Sequence, residues 1–162
     1  MRLLCSLAAV LIAATLMAVP VRSQGEDGLP FALAQMLEAE RAFAARALVV
    51  GWKQAFLEAF ADAAMGFEDG QLDLAKTQIR RAPDPPAGHR LIWEPRYGDV
   101  AASGEFGYLT GPVQSILPSR DNGRPRHSVY TSIWKRGRLG TFEVVLDVGV
   151  DTPNAPAFSD GF

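Results

Sequence analysis

Residues Leu91–Gly149 read LIWEPRYGDVAASGEFGYLTGPVQSILPSRDNGRPRHSVYTSIWKRGRLGTFEVVLDVG. Four extended runs lie in this stretch, and turns containing Gly, Ser, Asn and Asp separate them. The half of the chain before it has helical periodicity instead. Helices followed by consecutive strands indicate an α+β fold, with N-terminal helices packed in a curved antiparallel sheet. Such a sheet can close a pocket, but the stretch holds no recognised catalytic motif.

The sequence before Leu91 predicts three helices and one short strand. One stripe of the first helix carries apolar residues at three- and four-residue spacing, at Leu33, Leu37, Phe43, Ala44, Ala47 and Leu48. Gly51 is a typical helix stop. The predicted helices are Phe31–Val50, Trp52–Ala61 and Leu72–Arg81, and the predicted strand is Ala63–Phe67. Ala64 and Gly66 are poor strand formers, so this strand is expected to be short.

Four segments of the chain carry a resemblance to known domains. They are AERAFAARALVVGWKQAFLEAFADAAMGF and, downstream of it, LIWEPRYGDVAASGEFGYLTGP, SVYTSIWKR and TFEVVLDVG. Together they resemble the nuclear-transport-factor-two-like superfamily, and within it the SnoaL-like domains of unknown function found in secreted bacterial proteins. The resemblance covers roughly Leu33 to Gly149 and implies a cone-shaped α+β half-barrel. That superfamily includes isomerases, cyclases, dehydratases, binding modules and dimerisation modules, so the fold does not choose among them.

The N-terminal residues 1–23 have the order of a cleavable signal peptide. Arg2 precedes the apolar run Leu3–Val19, Pro20 ends that run, and small residues precede the bond before Gln24. The alternative is an uncleaved anchor, for which the run is at the short limit of bilayer-spanning length. Cys5 lies at the start of the run, where lipoprotein processing does not use it. We therefore expect a periplasmic or secreted protein whose mature chain has no cysteine.

Composition predicts one small acidic domain after export. Arg2 and Arg22 leave with the signal peptide, and 14 basic and 18 acidic residues remain, a net charge of −4. This charge disfavours nucleic acid or an anionic membrane as a partner. Residues 24–30 are predicted to be a linker, 31–150 a single α+β cone domain and 151–162 a poorly ordered tail.

Alternation along the predicted strands assigns the side chains to faces. We expect the aromatic lining of a pocket to come from Trp93, Tyr97, Tyr108, Tyr130 and Trp134. Trp93, Tyr97 and Asp99 are predicted to share one face of a single strand. The uncharged set Phe142, Val144, Leu146 and Val148 is expected to face the helices. The aromatic side chains could equally fill the cone completely, which would leave no pocket.

Two carboxyl groups are candidates for acid–base chemistry. Enzymes of the resembling fold tend to use a carboxyl group in an apolar cavity, where burial raises its pKa toward neutrality. Here the candidates are Asp99 and Asp147, with a donor from Tyr97, Tyr108 or Tyr130. Asp99 is the stronger candidate, since Asp147 is predicted to lie opposite the helix-facing residues. Each Asp is also explained as a strand-end residue that binds backbone amides.

These observations favour an exported domain that binds a small hydrophobic ligand or self-associates. The alternative is a cofactor-free isomerase, cyclase or dehydratase that uses a buried carboxyl group. His89 and His127 have no neighbouring ligand pattern, so neither a metal nor another cofactor is predicted. The convex sheet face, with Val129, Thr131, Ile133 and Val145, is apolar enough to predict a homodimer.

Overall fold

A computed structural model describes residues 30–68, 70–158 and 161–162 of this chain. The predicted signal peptide, residues 1–23, lies outside the described residues, as does the predicted linker up to residue 29. Of the helices that the structure describes, none has the length and apolar character needed to cross a membrane.

Three helices form where the sequence predicts helical segments. Helix α1, Phe31–Val50, has the predicted bounds. It ends because Gly51 adopts a φ of 84°, which a residue with a Cβ rarely adopts, and the Gly51 N–H donates to the carbonyl of Ala47 at 3.0 Å. Helix α2 is Trp52–Ala59 and helix α3 is Ala75–Arg81. The first part of the predicted third helix is instead a strand.

Seven strands form one unclosed sheet, so the α+β cone prediction is confirmed. They are β1 Phe60–Glu68, β2 Gln71–Leu74, β3 Arg90–Trp93, β4 Tyr97–Val100, β5 Phe106–Ile116, β6 Arg126–Arg136 and β7 Phe142–Thr152. The order is β2-β1-β7-β6-β5-β3, and β4 also pairs with β5. Strand β1 runs parallel to β7 and all other pairs are antiparallel, so the sheet is mixed and not purely antiparallel as predicted.

The small residues of β1 allow a helix to pack closely on it. Ala64 is buried, and a Cβ added at Gly66 would lie 3.2 Å from the Cα of Ala75, the first residue of α3. The residues that weaken the strand propensity of this segment are therefore those that let α3 contact the sheet. The resulting strand is longer than the predicted Ala63–Phe67.

The core lies between α1, α2 and the concave side of the sheet. Helix α1 buries Leu33, Met36, Leu37, Glu40, Phe43 and Ala47. Phe43 is the centre of an aromatic cluster: its ring centroid lies 4.8 Å from that of Trp93 and 4.9 Å from that of Phe56, both edge to face. Such packing fixes α1 and α2 against β3.

A register shift in β7 reverses the predicted faces of its second half. Ile133 pairs with Leu146, but Trp134 pairs with Val144, so Val145 is an extra residue on β7. Phe142 and Val144 face the core as predicted, whereas Leu146 and Val148 turn to the convex side. The prediction that Leu146 and Val148 face the helices is wrong, because simple alternation does not account for a bulge.

This register predicts unequal effects of two Leu→Ala substitutions. Leu109 on β5 is fully buried, and Leu109→Ala is expected to lower the free energy of unfolding by about 2–5 kcal/mol. Leu146 is only half-buried, so Leu146→Ala is expected to cost about 1 kcal/mol or less. Urea unfolding of both variants measures the difference. Equal losses would show that Leu146 lies in the core and that the register is wrong.

The C-terminal residues contact the β4 edge of the sheet. The ring centroid of Phe158 lies 6.0 Å from that of Tyr97, and the Phe162 N–H donates to the Arg96 carbonyl at 3.3 Å. Strand β7 extends to Thr152, two residues past the predicted domain end. The poor order predicted for residues 151–162 in solution stays a prediction.

Candidate functional site

A cavity of about 420 Å³ lies between the concave sheet and helices α2 and α3. Aromatic and aliphatic side chains make most of its wall. They are Trp52, Phe56, Phe60, Phe67, Ala75, Ile79, Ala82, Leu91, Trp93, Val113 and Tyr130. Gln78, Ser128 and Asp147 are the polar side chains among the described residues that line it, and Gly66 and Gly149 complete the wall. No lysine or arginine belongs to this described lining.

The structure brings two of the five predicted aromatic residues to this cavity. Trp93 and Tyr130 line it, and Trp134 is buried deeper in the core. Tyr108 is 45% exposed on the convex side, which corrects its predicted position in the lining. Tyr97 packs against Phe158 and is not among the lining residues. The predicted single strand is divided at Pro95 into β3 and β4, so Trp93 and Tyr97 share no continuous alternation.

The two candidate carboxyl groups lie on opposite sides of the sheet. Asp99 is exposed beside a groove of the convex side, and its carboxylate accepts a hydrogen bond from the Val100 N–H at 2.8 Å. Asp147 follows the bulge in β7 and faces the cavity. The predicted preference for Asp99 over Asp147 as the pocket carboxyl is therefore wrong. The β7 bulge turns Asp147 to the cavity, and the break at Pro95 separates Asp99 from the face of Trp93.

A third carboxyl group, Glu40 on α1, is fully buried beside this site. The Trp93 indole Nε1–H donates to Glu40 Oε1 at 2.7 Å, and the Trp134 Nε1–H donates to Oε2 at 2.9 Å. Burial raises the pKa of Glu40 to about 7, and the two indole donors oppose that rise. Glu40 is not among the residues predicted from the sequence, although its position three residues after Leu37 and three before Phe43 places it on the apolar stripe.

Asp147 is paired with strand β6, whose Trp134 donates to Glu40. Its direct partner across the β6–β7 ladder is Ser132, which is fully buried. Burial and, after it, the charge of Glu40 raise the pKa of Asp147 to about 8, and the Ser132 hydroxyl opposes the rise. At neutral pH this carboxyl is mostly protonated, so it can donate a hydrogen bond into the cavity.

Tyr130 supplies a second donor at the cavity wall. Its hydroxyl is buried and has no hydrogen-bond partner among the described residues. Burial and the negative charges of Glu40, Asp147 and Glu94 raise the pKa of Tyr130 above its ordinary value, so the phenol stays protonated. A buried donor without a partner costs free energy, and an acceptor on a bound molecule would remove that cost.

One cavity wall is fixed by a hydrogen-bonded chain. The Trp52 indole N–H donates to His89 Nδ1 at 3.2 Å, and His89 Nε2 lies 2.9 Å from the Ser115 hydroxyl. Burial, followed by the charge of Arg120, lowers the pKa of His89, which favours the neutral ring that can accept from Trp52. His89 is therefore committed to Trp52 and Ser115. Within the described ranges, no three His, Cys, Asp or Glu side chains are grouped as a metal site requires.

No family model and no curated protein matches this sequence. Several solved structures match it in fold. A ketosteroid isomerase-like protein from Erwinia carotovora atroseptica SCRI1043 is 11% identical with a TM-score of 0.58, covering 76% of this chain and 98% of that one. A protein of unknown function from Mycobacterium tuberculosis is 12% identical with a TM-score of 0.55, covering 72% and 76%. The S. rosetta CaMKII hub is 15% identical with a TM-score of 0.52, covering 74% and 95%.

At these identities the likeness establishes the fold and no activity. Proteins described as isomerase-like, as a hub and as of unknown function share the same architecture. The function must therefore be inferred from the cavity of this chain and its polar groups.

Proposed function

We propose that this protein, which has the nuclear-transport-factor-two-like fold, binds a neutral, largely apolar small molecule carrying one carbonyl or hydroxyl group. The observation that carries the proposal is the buried Tyr130 hydroxyl, which has no partner among the described residues, in a mostly apolar cavity that the Asp147 carboxyl also lines. Two protonated donors at one wall suit a single acceptor on the ligand. The aromatic side chains around them suit a flat hydrocarbon body.

The composition of the wall also argues against other ligand classes. A carboxylate or phosphate ligand would need a cationic partner, and the described lining offers neither Lys nor Arg. An anion would instead meet the negative charge of Glu40 and the carboxyl of Asp147. A cavity of about 420 Å³ falls within the usual range for small-molecule sites.

Three naphthalene probes test this proposal. Trp52 and Trp93 line the cavity, so quenching of tryptophan fluorescence reports occupancy. We expect 2-acetonaphthone, a neutral ketone, to bind more tightly than naphthalene by about tenfold, the value of one to two hydrogen bonds. The anion 2-naphthoate should bind more weakly than either. Equal affinities for all three probes would contradict the proposal.

Removing the Tyr130 hydroxyl should separate ligand recognition from stability. Tyr130→Phe is expected to weaken 2-acetonaphthone binding by about fivefold to tenfold and to leave naphthalene binding unchanged. The free energy of unfolding should stay the same or rise, because the removed hydroxyl is buried without a partner. Tyr108→Phe on the convex side is the matched control. A loss of stability in Tyr130→Phe without a loss of ketone affinity would refute this role.

A second candidate function is acid–base catalysis on an enolisable ketone. It is favoured by the position of Asp147 in the cavity and by the rise of its pKa to about 8. The Asp147 carboxylate would remove a proton from the carbon beside the carbonyl. The C–H electron pair would become the C=C bond of the enolate, and the C=O π pair would move onto the oxygen. The Tyr130 phenol, which keeps its proton, would donate a hydrogen bond to that oxygen.

Hydrogen–deuterium exchange at the methyl group of 2-acetonaphthone in heavy water tests this step. The wild type should accelerate the exchange, and the rate should rise as the pH approaches about 8 and Asp147 ionises. Asp147→Asn should abolish the acceleration, whereas Asp99→Asn should not. If the ketone binds but its exchange is not accelerated, the catalytic function is rejected and the binding function stands.

We further propose that the convex sheet face, formed around Tyr108, Val129, Thr131, Ile133 and Val148, associates with a second copy of the chain. Tyr108 and Val148 are 45% and 43% exposed, which makes the face apolar and open. The neighbour from S. rosetta is described as a hub, which fits self-association. Sedimentation at micromolar concentration should give a dimer. Ile133→Glu should dissociate it, and Leu139→Glu in the exposed β6–β7 turn should not.

Export is proposed on the sequence pattern of residues 1–23. N-terminal sequencing of the protein from its native host should find Gln24, or a residue close to it, as the first residue. Retention of Met1 in the exported fraction would contradict cleavage.

A further inference from the structure

Glu40 has a hydrogen-bond environment made only of donors. Each of its two oxygens accepts from one indole N–H, and an indole N–H cannot accept a hydrogen bond. This arrangement fits the ionised carboxylate, which needs donors at both oxygens. The Glu40 side chain is completely buried, and no ion pair neutralises its charge within the described residues.

Ser132 lies two residues before Trp134 on β6, so both side chains leave the sheet on the side where the Trp134 indole donates to Glu40. Its side chain is fully buried, and its hydroxyl has no hydrogen bond of ordinary geometry among the described groups. Ser132 is the direct ladder partner of Asp147, so both side chains leave the sheet on the concave side. The Ser132 hydroxyl opposes the rise in the pKa of Glu40 and of Asp147.

We infer that Glu40, Ser132 and Asp147 act as one unit, in which the buried Glu40 carboxylate keeps the proton on Asp147 and so sets which ligands the cavity accepts. Glu40 does not line the cavity, so it acts as a positioning residue through Ser132 and Asp147. The effect of this unit on the choice of ligand rests on the proposed function. The coupling itself is a property of the unliganded protein.

The assignment of the charge follows from the donors. Two adjacent buried carboxyl groups do not both ionise readily at neutral pH, because like charges in a low dielectric repel. Glu40 accepts from two indole donors, whereas Asp147 has no such pair of donors among the described residues. The negative charge therefore resides on Glu40 and the proton on Asp147. Among the described residues, Tyr130 on β6 also feels the charges of Glu40 and Asp147, and Glu94 after β3 acts on Tyr130.

This charge state has a consequence for specificity. A protonated Asp147 donates to a carbonyl, whereas an ionised Asp147 would attract an ammonium group over the aromatic wall. Glu40→Gln should therefore raise the affinity of the cavity at neutral pH for 2-(aminomethyl)naphthalene and lower that for 2-acetonaphthone. We expect the ratio of the two affinities to change by about tenfold, because a shift of one unit in the pKa of Asp147 can produce a change of that size.

Carboxyl-carbon NMR titration of the unliganded protein tests the coupling. In Glu40→Gln the midpoint of Asp147 should fall by at least about one pH unit, since a neighbouring negative charge has been removed. In Ser132→Ala it should rise, since the hydroxyl that favours the ionised form is gone. Glu38→Gln, an exposed position on the same helix, should leave it unchanged.

The outcomes separate the inference from the proposed function. An unchanged Asp147 midpoint in a folded Glu40→Gln protein, judged by near-ultraviolet circular dichroism of its tryptophans, would overturn the inference even if ketone binding persists. A shifted midpoint without any probe binding would uphold the coupling and reject the proposed function. If Glu40→Gln does not fold, the direction of the shift in Ser132→Ala decides: a rise supports the unit, and no change or a fall refutes it.

Discussion

Trp134→Ala is expected to lower the free energy of unfolding by about 3–5 kcal/mol, the range for truncating a buried aromatic side chain. Trp134 is 1% exposed, and its ring centroid lies 6.3 Å from that of Phe43 in the core. The substitution also removes the indole donor from one oxygen of the buried Glu40. A loss of this size approaches the whole stability of many small domains.

The matched comparison is Trp52→Ala. Trp52 is half-buried at the cavity wall, and its indole bonds His89 and not a buried carboxylate. Urea unfolding should therefore show a clearly smaller loss for Trp52→Ala than for Trp134→Ala. Similar losses would mean that the indole–carboxylate contacts of Glu40 do not hold α1 against the sheet.

Asp147→Asn is expected to make the protein more stable near neutral pH. The pKa of Asp147 is about 8 in the folded chain against an ordinary value of 3.8. The folded state therefore binds this proton more tightly than the unfolded state. Its contribution to stability is complete below about pH 4 and is lost as the pH rises toward about 8. Asparagine carries no such proton, so the variant does not suffer this loss.

The size of the effect follows from linkage. We expect Asp147→Asn to exceed the wild type by about 2–4 kcal/mol in unfolding free energy near pH 7.5, and to match it near pH 4. Some groups have pKa values that shift in the opposite direction, such as Glu58, whose pKa Arg46 lowers to about 2. These groups are common to both proteins, so their contributions cancel in the difference. Asp99→Asn is the control. A wild type that is more stable than Asp147→Asn at both pH values would contradict the burial of this carboxyl.

Such a gain would also bear on function. A residue whose removal stabilises the fold is kept for another reason, and ligand binding or catalysis is the usual one. The buried environment of Asp147 would then destabilise the fold but serve the chemistry of its carboxyl group.

Local signals predicted the helical half of the fold well. The three- and four-residue spacing of apolar side chains and the glycine at position 51 located α1 to its ends. The fold class also followed from the change from helical period to period two along the chain. These features are determined by residues close together in the sequence, so short sequence patterns predict them.

The candidate site depended on features that no short pattern shows. The extra residue at Val145 moved Asp147 to the cavity and Leu146 to the convex side, and a bulge is specified by pairing with a distant strand. The break at Pro95 separated Trp93 from Tyr97. Glu40 did leave a signal, a carboxyl group on an apolar stripe, but its two indole partners lie 53 and 94 residues away in the sequence.

The most direct test of the account is a crystal structure of the protein with 6-bromo-2-acetonaphthone, in which anomalous scattering locates the bromine. The account predicts bromine in the cavity beside Trp52 and Phe56. The ketone oxygen should lie about 3 Å from the Tyr130 hydroxyl or the Asp147 carboxyl, the distance of a hydrogen bond. Bromine in the convex groove beside Tyr108, or a cavity without ligand at saturating concentration, would contradict it.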